Sequence, residues 1–192
     1  MKKLLMTGLC FLCAVALYVV PAAAVPLSLD NTWTVLDEVM STGDFFTGSG
    51  VLPAPWTFTG DALFTITDLY VASDRFAVYD NGVLVLTTPA VLDWDTLGYA
   101  DPFTSPPYTT DPDVALASGY FSSGTILFGT GSHSITIADI HIPPTSAGGS
   151  PFLDGTVAFK ATAVPEPATL LLLGSGLAGL GLWGRKRFKM DS

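Results

Sequence analysis

Arg75-Phe76-Ala77-Val78-Tyr79-Asp80-Asn81-Gly82-Val83-Leu84-Val85-Leu86-Thr87 decides the fold. Two runs rich in β-branched and aromatic residues flank an Asn-Gly pair. That pairing predicts a type I′ hairpin turn, because both central residues must take positive φ. Working outward, residues 62–71 alternate apolar and polar at Phe64, Thr65, Ile66 and Thr67, the period of a half-buried strand. Residues 125–128 and 134–142 flank Gly129-Thr130-Gly131-Ser132 and predict a second hairpin. Residues 32–39, 56–59, 115–121 and 155–163 predict further strands. Nowhere does an apolar i, i+3, i+4, i+7 pattern run long enough to predict a helix. The expected fold class is therefore all-β, a β-sandwich of jelly-roll or Greek-key type over residues 25–163.

The two ends of the chain read differently. Met1-Lys2-Lys3, an uncharged apolar run over 4–20 and Pro21-Ala22-Ala23-Ala24 predict a signal peptide over residues 1–24. Ala22 and Ala24 are the small residues of the cleavage site; an uncleaved anchor is the alternative. Cys10 and Cys13 fall inside this segment, each preceded by Leu, which rules out a lipoprotein reading. The mature chain is then free of cysteine, so its stability has to come from the core. At the other end, Val164-Pro165-Glu166-Pro167 precedes 17 uncharged residues over 168–184 and the basic residues Arg185, Lys186, Arg187 and Lys189. As a helix, 168–184 is about 25 Å long, enough to cross a thin bilayer. The basic stop favours a cytoplasmic C-terminus. Pro165 and Pro167 hold Glu166 extended at the membrane face.

Residues 164–189 resemble the PEP-CTERM sorting signal of exported bacterial proteins. The resemblance implies that Pro165, Glu166 and Pro167 are read by an exosortase, a membrane enzyme that removes the tail. Asp74–Gly82, Ala100-Asp101-Pro102 and Gly131–Ile137 are also similar to ectodomains often joined to such tails. That family brings no activity with it. The tail family is typical of Gram-negative bacteria that make exopolysaccharide. The resemblance implies anchoring in the inner membrane facing the periplasm, then a place at the cell surface or in an extracellular, biofilm-associated matrix.

Between the two end segments lie fifteen acidic residues and only two basic ones, Arg75 and Lys160, for a net charge of −13. A body this anionic repels nucleic acid, so no nucleic-acid partner is expected. His133 and His141 are eight apart, about 26 Å along an unbroken strand, too far to share a metal. No G-x-S-x-G elbow is present. Calcium is the one ion suggested: Asp93 and Asp95 stand two apart before Gly98, with Asp101, Asp111 and Asp113 in the same stretch. A solvated acidic loop is the competing reading, and no other cofactor is expected. Residues 89–113 predict a long loop whose Trp94, Tyr99 and Tyr108 are candidates for stacking on a sugar beside carboxylates. The alternative is that these rings fold inward and cap the sandwich. The expected function is a non-enzymatic exported protein that contacts polysaccharide. The alternative is a periplasmic or surface carbohydrate-active hydrolase built on paired Asp carboxylates.

Overall fold

The computed structural model describes residues 24–48, 55–100, 102–103, 108–145, 149–151, 154–164 and 174–177. Asn81 and Gly82 take φ of 50° and 79°, the pair of positive values that the hairpin demands. They join strand β6 (Arg75–Asp80) to β7 (Val83–Thr87). The other strands are β1 (Val25–Pro26), β2 (Thr34–Val39), β3 (Trp56–Thr59), β4 (Ala62–Asp68), β5 (Tyr70–Val71), β8 (Tyr108–Thr109), β9 (Ser123–Phe128), β10 (Ser132–His141) and β11 (Asp154–Ala163). They form a sheet ordered β1-β3-β10-β6-β7, a second ordered β2-β11-β4-β9, and a small β5-β8 pair. Ranked among the eight strands of four residues or more, these sheets run 2-7-4-5 and 1-8-3-6.

The two large sheets face each other across one apolar cluster. Trp56 of β3 meets Phe159 of β11 edge-on at 4.9 Å, and Phe58 of β3 meets Phe128 of β9 at 5.4 Å. Side chains two apart on a strand share a face, so each core strand contributes a stripe. On β4 the stripe is Phe64, Ile66, Asp68; on β10 it is Ile135, Ile137, Asp139, all fully buried. On β6 it is Phe76 and Val78, preceded two residues earlier by buried Asp74. On β11 it is Val157, Phe159 and Ala161, preceded by Gly155. Three apolar stripes thus end in an aspartate and the fourth in a glycine.

One expectation fails here. Residues 115–121 are not a strand: Pro112–Ser118 form a helix, α1. The signals are local. The Asp111 side chain caps the N-terminus by accepting from the amides of Asp113 and Val114, and Pro112 occupies the first turn. Gly119 ends the helix in the left-handed conformation, φ 74°. Seven residues are too few for a helical period to show. The long loop expected over 89–113 is likewise interrupted, since β8 pairs with β5.

Helix α1 covers the outer face of the second sheet. Ala115 packs with Leu69, Ala72, Phe121 and Ala158 in a smaller cluster. The Trp33 indole N–H donates to Asp113 Oδ1 at 3.1 Å, and Lys160 Nζ stands 4.2 Å over the Trp33 ring. Lys160 also lies 3.5 Å from Asp113, but that carboxylate is 72% exposed and the pair contributes little. Removing the cap should therefore be felt: Asp111→Ala is expected to lower unfolding free energy by about 1 kcal/mol. In urea titration this appears as a lower midpoint with an unchanged slope.

Candidate functional site

The core closes differently at its two ends. At the end nearest the Asn81-Gly82 turn, the His133 Nδ1 lies 2.8 Å from Asp80 Oδ2, and its Nε2 lies 2.9 Å from the Gly129 carbonyl. Both ring nitrogens face acceptors, so the imidazolium alone satisfies both by donating from each. The ring stacks on Phe58 at 4.9 Å and leans on Phe128 at 4.8 Å. Asp80 Oδ1 also accepts from the amides of Ser134 and the Asn81 side chain. Burial opposes the charged ring, but the bonds to Asp80 and Gly129 and the charge of Asp80 together hold the His133 pKa above its ordinary value. With both nitrogens committed, His133 is not a free base for the open depression above Thr57, Thr59, Asn81 and Ser132.

The opposite end holds Asp68, Asp74 and Asp139. Asp68 organises the turn that comes after β4: its Oδ1 accepts from Leu69 N at 2.6 Å and its Oδ2 from Ser73 N at 2.7 Å. Asp74 Oδ2 accepts from Thr156 N at 3.0 Å, and Asp139 Oδ1 accepts from His141 N at 3.0 Å. The other two oxygens, Asp74 Oδ1 and Asp139 Oδ2, are buried without a partner. Burial, and then mutual repulsion, raise Asp68 and Asp74 well above the usual carboxylate range; between them, backbone N–H bonds pull Asp68 the other way. Burial raises Asp139 to about 7. No cation answers them among the described residues, where Lys160 pairs with Asp113 and Arg75 forms no ion pair. Gly155 faces this layer, and a Cβ there would come within 2.6 Å of both Asp139 Oδ2 and Met40 Sδ.

A recess of about 50 Å³ leads to this layer, lined by Leu69, Tyr70, Val71, Asp74, Phe103 and Asp154 among others. Small-molecule sites run to about 300 Å³ or more, so a sugar does not enter. Sequence reading missed these carboxylates, although a signal existed. Asp68 and Asp139 continue the apolar alternations Phe64/Ile66 and Ile135/Ile137, and Asp74 precedes Phe76 by two.

The residues expected to bind a ligand are scattered. Trp94 is 1% exposed and its indole N–H donates to the Pro144 carbonyl at 2.8 Å, so its faces are not open to a sugar. This ring folds inward, which corrects its candidacy. Tyr99 and Tyr108 are half-buried, and Tyr108 groups instead with Tyr70 at 6.2 Å and Phe103 at 6.0 Å. Asp93 and Asp95 do not act as a pair. Asp93 Oδ1 lies 3.0 Å from His141 Nε2, and Asp95 Oδ1 accepts from Thr96 N at 2.7 Å. Ala24 is described and exposed. Ala22, Pro165, Glu166, Pro167, Arg185, Lys186, Arg187 and Lys189 lie outside the described residues, as do 1–23 and all of 168–184 except 174–177. Among the described residues no helix is long and apolar enough to cross a membrane.

Comparison with known proteins bears on the tail. Residues 163–186 match the model of the PEP-CTERM protein-sorting motif. The chain thus carries the sorting signal of exported proteins that an exosortase processes. No curated protein sequence matches the chain. Among solved structures, the pre-peptidase C-terminal domain of collagenase from Bacillus anthracis aligns over 74% of this chain and 97% of that one, with 10% identity and a TM-score of 0.37.

The His133–Asp80 pair has a pH signature. A raised folded pKa stabilises fully below the ordinary imidazole value of about 6.5, and the gain is lost as pH rises through the folded value. Wild type should therefore lose more stability than His133→Gln between pH 6 and pH 9. Urea midpoints of the two proteins across that range check it, and parallel curves would remove the imidazolium.

Proposed function

We propose that this protein is a non-enzymatic surface or matrix component, exported by residues 1–24 and held in the inner membrane by residues 168–184. An exosortase then reads Pro165-Glu166-Pro167 and removes the membrane segment together with its basic stop. The observation that carries this reading is the match of residues 163–186 to the sorting motif. The body between the signals is read as a jelly-roll sandwich, supported by the 1-8-3-6 and 2-7-4-5 strand ranks, in which two four-stranded layers exchange strands throughout. Mass spectrometry of the product from a host with an exosortase tests the reading. The expected product starts at Val25 and lacks the basic stop, whereas Glu166→Ala should leave residues 168–192 attached. An intact tail in wild type would reduce the segment to a plain anchor.

Contact with polysaccharide, in this reading, runs through Tyr70, Phe103 and Tyr108 rather than Trp94. Tyr108 adjoins both of the other rings, and Phe103 is 60% exposed. Rings that present a face can stack on sugar C–H groups while nearby carboxylates bond hydroxyls. Phe103→Ala combined with Tyr108→Ala should abolish retention on exopolysaccharide without moving the melting temperature by more than a few degrees. Equal retention by the double variant, or no retention by wild type, would discard this contact. The hydrolase alternative is disfavoured, because the inward carboxylates sit behind a recess too small for a sugar ring.

A further inference from the structure

We propose that the layer of Asp68, Asp74 and Asp139 over Gly155 is a calcium site, entered through the recess beside Tyr70 and Phe103. The layer is an acidic cluster, but acidity is not what argues for an ion. Asp74 is 4% exposed, lines the recess, and keeps Oδ1 without any hydrogen-bond partner. Asp139 is fully buried and leaves Oδ2 in the same condition. An unsatisfied carboxylate oxygen is among the most costly groups to bury, and such atoms in a native core call for a specific reason. Here there are two in one layer, one on β10 and one just before β6.

The chemistry of the donors selects the ion. The free donors are oxygens of carboxylates, with no thiolate or imidazole in the layer; the one nearby ring, His141, points its Nε2 at Asp93. Hard oxygen donors suit calcium or magnesium rather than zinc or copper. Among the described residues, no three acidic or histidine side chains already enclose a point. Asp74 Oδ1 and Asp139 Oδ2 would therefore make the first bonds, with water and main-chain carbonyls filling the remaining positions. Calcium tolerates such an irregular, partly hydrated shell, whereas magnesium demands near-octahedral geometry. Asp154 stands at the recess as a further carboxylate.

Space and access agree. Gly155 carries no side chain, and the space a Cβ would take there is shared by Asp139 Oδ2 and Met40 Sδ. A recess of about 50 Å³ admits water or an ion and nothing larger. A proton is the competing occupant.

The test uses the full chain in non-ionic detergent at pH 7.5, melted with and without calcium. In a chelator the wild type should melt low, and calcium at about a hundred times its dissociation constant should raise the midpoint by about 5 °C or more. Asp74→Asn keeps an oxygen for the Thr156 amide and removes one charge. It should melt no lower than wild type in chelator and gain nothing from calcium, and Asp139→Asn should lose the calcium response as well. Calorimetric titration should count one calcium on wild type that is absent from both variants. Equal melting of wild type in chelator and in 10 mM calcium would overturn the site in favour of protons. An equal rise in Asp74→Asn, or with potassium chloride of matched ionic strength, would overturn it in favour of screening of the −13 body.

Discussion

Charge at the two ends of one apolar core is the constraint that orders this molecule. Facing sheets bury their inward stripes readily while the residues are Phe, Ile and Val, but each strand must eventually leave the core. At one end the exit is made by Asp80 and His133, opposite charges locked between two hairpins by four polar contacts. At the other end the exit is three carboxyl groups, held by turn and strand amides and, among the described residues, by no cation. The first arrangement satisfies every polar atom at the ring. The second leaves two oxygens bare and crowds three carboxyls, all raised by burial, at the ends of the β4, β6 and β10 stripes.

Much of the architecture is written locally. Asn81-Gly82 fixes a turn that no other pair makes as readily, and the period-two stripes of β4 and β10 name the core residues by position. What escaped reading was set by length or by distance. Helix α1 is too short for periodicity, and only its caps, Asp111 and Gly119, announce it. Trp94 looks like a loop residue in sequence, yet it is buried and donates to the carbonyl of Pro144, fifty residues away and three past the end of β10. Among fifteen acidic residues, the three that turn inward are distinguishable only once each is counted along its strand from a known core residue. The tail is the opposite case: motif, apolar segment and basic stop are contiguous, so their meaning needs no fold.

The outer face of the second sheet shows how a sparse set of cations is used. Lys160, one of two basic residues in the body, lies along Trp33 and reaches Asp113, so that helix α1 is tied to β11 through a ring, an indole N–H and a long aliphatic stem. Most of the benefit is packing, since Asp113 is well hydrated. In a body with no cysteine between residues 25 and 164, this strap and the cap at Asp111 hold the helix to the sheet.

The last described bond of the body runs from Val164 N to the Asp61 carbonyl at 3.0 Å, directly beside the end of β11. Pro165 offers no amide to continue the ladder, so the sheet stops where the sorting peptide begins. Only three residues then separate the body from Ala168, a reach of about 10 Å. Under the proposed function, with residues 168–184 as the membrane segment, so short a leash would leave a protease cleft almost no slack to grip. Releasing Val164 from Asp61 and Ala163 from Leu29 at the end of β11 would lengthen that leash by two residues, so the fraying of an interior strand would set how far the tether can reach.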